Sequence, residues 1–162
     1  DLDGGDSSWL GYQWAVGSYT YLEQGPWSVL IEAAIGDNGD AAAINADRQG
    51  WFGGVQSEVT FDFIDSTLEG VFQIQFLSAE NAEGLRVDSR YLGLPHTVSG
   101  GTPADINGRY GHRHFSTYLG LNLYLPDDRN KFMLGIEWEE LAVRNREAIE
   151  ATTLWAAYRM YF

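Results

Sequence analysis

The chain has 162 residues, which predicts a single domain, and its 23 acidic against 10 basic residues give a net charge of −13. Such an acidic chain repels phosphate backbones, which excludes nucleic acid as a partner. The absence of cysteine excludes disulfides, thiolate-bound metals, iron–sulfur clusters and thiol nucleophiles.

The hydropathy of the chain is low. No apolar run of about 18 residues occurs and the mean hydropathy is −0.25, so the sequence predicts no transmembrane helix. A membrane β-barrel is compatible with these values, because its strands alternate between apolar and polar residues.

Seven segments are predicted as β-strands, because each is rich in aromatic and β-branched residues and is bounded by Gly, Pro, Asn or Asp. In chain order they cover residues 9–22, 27–36, 51–64, 68–79, 113–125, 131–143 and 149–162. Ordinary globular strands have about 5–6 residues, whereas a strand that crosses a bilayer at a tilt needs about 9–11. The lengths therefore favour membrane strands.

Hydrophobicity alternates with a period of two along most of these segments. In segment 131–139, for example, the even positions are Phe, Leu, Ile and Trp, and the odd positions are Lys, Met, Gly, Glu and Glu. Because successive side chains of a strand point to opposite sides, each segment has one apolar and one polar face. Segment 9–22 alternates less clearly, and which of its residues lie on the apolar face stays open.

The connections between the strands alternate in length. Short ones fall at 23–26, 65–67 and 126–130, and long ones rich in Gly and Asp fall at 37–50 and 80–112. Outer-membrane barrels combine short periplasmic turns with longer extracellular loops, so we expect the C-terminus in the periplasm. The short connection 144–148 departs from this alternation of short and long connections. Whether the loop 80–112 covers the mouth of the barrel or folds into it stays open.

Seven strands place the two ends of the chain on opposite sides of a membrane, whereas bacterial single-chain barrels have an even number of strands. An open sheet would also leave unpaired edges in lipid. We therefore expect residues 1–162 to be the C-terminal portion of one larger barrel domain, completed by strands from the same or another chain. A strand overlooked within 84–94 would instead complete a small barrel of eight strands.

Residues 154–162, Leu-Trp-Ala-Ala-Tyr-Arg-Met-Tyr-Phe, resemble the terminal strand of outer-membrane proteins. The resemblance implies that Tyr158, Met160 and Phe162 form the signal read by the barrel-assembly machinery. More narrowly, four stretches are similar, in the same order, to the phosphate-selective porin O and P family, at 21–28, 78–86, 118–125 and 132–139.

This resemblance implies a transmembrane antiparallel up-and-down β-barrel of about sixteen strands in the Gram-negative outer membrane, usually a homotrimer. Its partners would be outer-membrane lipid and the barrel-assembly machinery. Its function would be the diffusion of small hydrophilic solutes or ions, including anions such as phosphate. The anion site of the family uses lysines and arginines largely from parts of the barrel outside this sequence, so none is carried over.

The polar faces of the predicted strands carry mostly carboxylates. The candidates for lining a pore are Glu32, Glu58, Asp62, Glu69, Lys131, Glu137, Glu139 and Arg159. Carboxylate rings favour cations in pores, so these strands predict a weak cation preference, contrary to the family name. The alternative is that they are solvated charges with no selective role.

Arginines concentrate near the predicted outer loops. Arg86, Arg90, Arg109 and Arg113 are the candidates for contacting anions at the mouth, because a basic mouth raises the local anion concentration. The alternative is loose pairing with loop carboxylates or with lipid phosphates.

The sequence carries no motif for catalysis. The acidic start at 1–6 lacks the closing Glu of a calcium loop. His112 and His114, expected on one face of a strand, lack a third metal ligand. We therefore expect no enzyme activity, no metal and no cofactor. Two alternatives to a porin are an eight-stranded outer-membrane barrel with a structural or surface-interaction role, and a soluble lipocalin-like module whose apolar faces turn inward.

Overall fold

The structure, a computed structural model, describes residues 13–39, 49–64, 67–82, 84–87, 109–125, 130–142, 144 and 147–160. Its strands are β1 (Trp14–Gln24), β2 (Trp27–Asp37), β3 (Trp51–Ile64), β4 (Leu68–Ala79), β5 (Leu85–Val87), β6 (Arg109–Gly111), β7 (Arg113–Tyr124), β8 (Asn130–Ala142) and β9 (Ile149–Met160). No helix occurs in these ranges, so the described chain is all-β, as the sequence predicts.

Seven strands form one antiparallel up-and-down sheet in the order β1-β2-β3-β4-β7-β8-β9. They are the seven predicted strands, and β3 and β4 have the predicted bounds. β1 begins at Trp14 instead of residue 9, and residues 9–12 lie outside the described ranges. The remaining ends differ from the prediction by at most two residues.

The first hairpin is tighter than predicted. Gly25 has a φ of 58°, which residues with side chains rarely adopt. Pro26 follows, and its ring fixes φ near about −65°. A positive and then a negative φ is the pattern of a two-residue type II′ turn, which suits the twist of antiparallel strands. The strands therefore continue to Gln24 and Trp27, and only two residues form the turn.

We call the end of the sheet with this hairpin the turn end and the opposite end the loop end. The β3–β4 and β7–β8 connections leave from the turn end, where β9 also finishes at Met160. The β2–β3, β4–β7 and β8–β9 connections leave from the loop end. The described strands thus keep the predicted sorting of short and long connections.

The described part of segment 84–94, residues 84–87, does not supply an eighth strand to the main sheet. These residues contain β5, which pairs with β6 in a separate two-stranded sheet. Among the described residues the main sheet is therefore open, with β1 and β9 at its edges. Six antiparallel steps separate these edges, so β1 and β9 run in the same direction.

Cross-strand register divides the side chains of the main sheet between two faces. The apolar face contains, on neighbouring strands, the row Val59, Phe72, Leu119, Ile136 and Leu154. The polar face contains the adjacent row Glu58, Gln73, Tyr118, Glu137 and Thr153.

The apolar face is the more exposed of the two. Leu119, Leu134 and Leu154 are 59 %, 60 % and 80 % exposed. Along β8, apolar-face residues from Phe132 to Ile136 are exposed, whereas the polar-face residues between them are half-buried. A curved sheet crowds side chains on its inner side and spreads them on its outer side, so this pattern makes the polar face the inner one.

Candidate functional site

The register brings the eight predicted pore-lining residues to one side of the sheet, the polar face. Three rows hold the carboxylates and a fourth holds the two cations: Glu32 with Glu139, Glu58 with Glu137, Asp62 with Glu69, and Lys131 with Arg159. The sequence predicted this shared side correctly, because alternation within each strand and antiparallel register together fix it.

Neutral donors hold two of the carboxylates on this face. Glu69 Oε1 accepts hydrogen bonds from Asn122 Nδ2 at 2.6 Å and from Tyr124 Oη at 3.2 Å. Glu137 Oε2 accepts one from Trp155 Nε1 at 3.1 Å. Because these donors are uncharged, they fix the positions of the carboxylates without cancelling their charge.

The charges of the polar face are sorted along the strands. Glu58 has Glu69 and Glu32 among its electrostatic neighbours, together with Lys131. Lys131 and Arg159 lie side by side in the row nearest the turn end, and Lys131 Nζ lies 5.4 Å from the centre of the Tyr124 ring. The two predicted wall cations thus occupy the row nearest the turn end, Asp62 and Glu69 lie in the adjacent row, and the other predicted wall carboxylates lie further toward the loop end.

Glu139 has surroundings that differ from those of the other carboxylates. It is 2 % exposed, and its Oε2 lies 3.2 Å from Nε2 of His114, which is 5 % exposed. Glu139 Oε1 and His114 Nδ1 are buried without a hydrogen-bond partner. Sequence reasoning missed this pair, because the two residues lie on different strands and only register makes them neighbours.

His112 and His114 are placed differently in the described chain. β7 begins at Arg113, and His112 lies in the bend before it. Within the described ranges, no group of three or more His, Asp or Glu side chains is arranged to hold a metal ion. The acidic start at 1–6 lies outside those ranges.

The predicted mouth arginines are only partly described. Arg113 lies at the loop end on the apolar face and is exposed. The backbones of Arg86 and Arg109 lie in the β5–β6 pair, and Arg90 is outside the described residues. The structure therefore does not bring these four side chains together as a described site.

The predicted assembly residues lie at the turn end. Tyr158 and Met160 are on the apolar face, 52 % and 47 % exposed. Tyr158 Oη donates a hydrogen bond of 2.5 Å to Asn130 Oδ1, and its ring centre is 4.9 Å from that of Phe132. Phe162 lies outside the described residues.

Aromatic side chains of the apolar face gather at both ends of the sheet. At the turn end, ring centres are 4.4 Å apart for Trp27 and Phe61 and 5.0 Å apart for Phe61 and Phe63. Near the loop end, those of Phe115 and Trp138 are 5.8 Å apart. A separate loop-end residue, Trp51, is exposed on β3. The length of β3 between Trp51 and Phe61 spans about 25 Å along a barrel axis at the usual tilt.

An apolar groove of about 650 Å³ opens on the same face. Its lining includes Phe61, Phe72, Leu121 and Leu134, and Gly70 contributes no side chain to fill it. The described residues contain no helix long and apolar enough to cross a membrane.

Comparisons with protein-family models, with curated proteins and with solved structures gave no match.

Proposed function

We propose that this chain forms part of the wall of an outer-membrane porin, a diffusion channel for small hydrophilic solutes and ions. One observation carries the proposal: across seven long strands most of the large apolar side chains occupy the exposed outer face and most of the charged side chains occupy the inner face. A transmembrane barrel has this partition because lipid lies outside it and water inside.

The outer face needs an apolar environment. Moving one large aliphatic or aromatic side chain out of water contributes about 1.5–3 kcal/mol. More than twenty large hydrophobic side chains are exposed on the described residues, and most lie on this face. Outer-membrane lipid would cover them, and the two aromatic groups would lie at its interfaces.

Strand direction supports a larger barrel. Because β1 and β9 run the same way, pairing them would create a parallel seam in an otherwise antiparallel sheet. A second copy of the same seven strands in the same orientation would meet the same obstacle. An odd number of further strands between β9 and β1 removes it, and the porin of about sixteen strands implied by the resemblance satisfies this parity.

The inner face favours small cations over anions. Glu58 and Glu137 lie in its middle, and Glu69 lies beside the row of Lys131 and Arg159 at the turn end. Carboxylates along a pore attract cations and raise the barrier for anions. On this account the strands described here do not form a phosphate site, and anion recognition would belong to other parts of the barrel.

A lipocalin-like module is the second candidate, and the apolar groove favours it. Such a module would hold an apolar ligand against the apolar face and leave the carboxylates in bulk water. The exposure pattern of β8, in which the apolar face is the outer one, favours the porin.

The test is to extract the native protein and record it in planar lipid bilayers. A porin requires detergent for extraction and gives discrete conductance steps. A detergent-soluble protein that inserts without conducting would favour the small structural barrel. A protein that stays soluble without detergent and binds an apolar fluorophore would contradict the proposal in favour of the lipocalin-like module.

A further inference from the structure

We propose that the ring of Tyr118, together with the carboxylates of Glu137 and Glu58, forms a subsite on the pore wall for organic ammonium ions of the choline type. This inference rests on the proposed function, because it places the subsite on the water-filled side of the wall. It goes beyond a general preference for cations, since it distinguishes weakly hydrated organic cations from strongly hydrated inorganic ones.

The ring of Tyr118 lies flat against the wall. On the polar face, Gly120 of β7 and Gly135 of β8 are direct neighbours in the register. A Cβ atom at either glycine would lie 2.6 Å from ring atom Cζ of Tyr118, so the ring fills the space of two missing side chains. One face of the ring therefore lies on backbone. Tyr118 is half-buried, so the ring face that stays accessible is the one turned away from the wall.

Carboxylates stand on both sides of this ring. Glu137 is the direct register neighbour of Tyr118 on β8. Glu58 lies on the other side in the same row, beyond Gln73 of β4. Glu137 and Glu58 are also the electrostatic neighbours of the Tyr118 hydroxyl. The row thus presents an aromatic face between two negative charges.

A second aromatic side chain holds one of these carboxylates. Trp155 of β9 is the direct register neighbour of Gly135, and its Nε1 donates a hydrogen bond of 3.1 Å to Glu137 Oε2. Because this donor is uncharged, it fixes the carboxylate and leaves its negative charge in place. Glu137 is therefore held beside the Tyr118 ring by the wall itself.

A neighbouring tyrosine shows the same kind of ring engaged by a cation of the chain. Tyr124 lies on the same face of β7, and Lys131 Nζ is 5.4 Å from the centre of its ring. Cations are attracted to an aromatic face within about 6 Å of its centre. The described row of Tyr118 contains the ring and the two carboxylates but no basic side chain. A solute cation would take the place there that Lys131 takes at Tyr124.

The combination of ring and carboxylates selects among cations. Carboxylates attract any cation, whereas the ring face favours one that can come close without its water. A compact ammonium group is strongly hydrated, but a methylated ammonium carries its charge on apolar groups and loses little hydration at the ring. Recognition of quaternary ammonium ions by aromatic side chains follows this rule. We therefore expect the subsite to prefer choline-like ions to sodium or potassium.

The first experiment measures choline binding to the native protein in detergent. Equilibrium dialysis with radiolabelled choline is carried out in about 0.15 M KCl, which screens exposed charges beyond about 8 Å. We expect saturable binding that tetramethylammonium displaces. Sodium should not displace it, and neither should 3,3-dimethyl-1-butanol, which has the shape of choline without its charge. Displacement by this neutral alcohol, or an absence of saturable binding, would overturn the proposal.

The second experiment compares variants of the ring. Tyr118→Leu should weaken choline binding about 2–10-fold, as expected for the loss of one cation–π contact. Tyr118→Phe keeps the ring and should retain most of the affinity. Tyr124→Leu is the matched control and should bind like the unmodified protein, because Lys131 already lies over that ring. Equal losses in the two leucine variants would contradict the assignment to Tyr118. If a leucine variant does not fold, the neutral alcohol decides the question on the unmodified protein.

Bilayer recordings of the unmodified protein separate this inference from the proposed function. Channels that conduct, in a protein without saturable choline binding, would overturn the subsite and leave the porin standing. A protein that binds choline but does not conduct would overturn the porin and, with it, the place of the subsite on a pore wall.

Discussion

The ring of Tyr118 covers the bare backbone of Gly135 on the neighbouring strand. A Cβ atom at Gly135 would lie 2.5 Å from ring atom Cε2, and the ring also covers Gly120, two residues further along β7. Glycine inside a strand lacks a side chain to pack and often marks a close approach. Here the two glycines let the tyrosine lie against the polar face instead of standing out from it.

The first prediction follows from this contact. Gly135→Val should displace the Tyr118 ring and lower the free energy of unfolding by about 1–3 kcal/mol, the usual cost of overpacking. Urea unfolding of the protein in lipid vesicles measures the change. Gly17→Ala is the control, because a Cβ there would lie 3.5 Å from its nearest neighbour, an ordinary contact. Equal effects of the two substitutions would contradict a specific role for the Tyr118 contact.

The second prediction compares two adjacent residues on opposite faces. Leu134 lies on the apolar face and Met133 on the polar face of β8. Leu134→Arg should lower the free energy of unfolding in a bilayer by about 2–4 kcal/mol, because it places a charge in lipid. Met133→Arg should cost much less, since in the proposed porin this position faces water. The same urea titration distinguishes them, and a larger cost for Met133→Arg would reverse the assignment of the faces.

The third prediction concerns ion selectivity. Glu58→Gln and Glu137→Gln each remove a negative charge from the polar face, so the ratio of cation to anion permeability should fall by up to about twofold. Lys131→Gln should raise it. Reversal potentials across a KCl gradient measure both shifts. Glu150→Gln, on the apolar face of β9, should change nothing; an equal shift there would argue against a selective role for the polar face.

The fourth prediction concerns the buried pair at the loop end. His114→Ala removes the hydrogen-bond partner of Glu139, which stays buried, so the free energy of unfolding should fall by about 1–3 kcal/mol. His112→Ala is the matched control, because the buried Nδ1 of His112 has no hydrogen-bond partner and its loss should cost less. Thermal unfolding followed by gel electrophoresis measures the stability of both variants. If the two variants unfold alike, the His114–Glu139 contact does not stabilise the protein.

The extent of the strands could be predicted from the sequence. The segments 51–64 and 68–79 have the predicted bounds, because alternating hydrophobicity and flanking turn residues act locally. The same alternation placed Glu58 and Glu137 on one face, although they lie three strands apart in the sheet. The turn at Gly25 and Pro26 came out shorter than predicted, since its dihedral angles let both strands extend further.

Contacts between distant segments could not be predicted in the same way. The docking of Gly84 over Ala79 and of Gly111 over Leu141 joins parts of the chain that periodicity does not relate. Glu139 is 2 % exposed, so a residue that alternation marks as water-facing is enclosed instead.

The sequence by itself determined that this is an all-β chain of seven long, two-faced strands with an odd count. Those properties follow from the alternation of successive side chains between the two faces of a strand, which is fixed by backbone geometry. Only the tertiary structure decided that the apolar face is the more exposed one, that β5 and β6 leave the main sheet, and that Gly84 and Gly111 lie against Ala79 and Leu141. These features depend on sheet curvature and on packing between segments far apart in the chain, which no local pattern encodes.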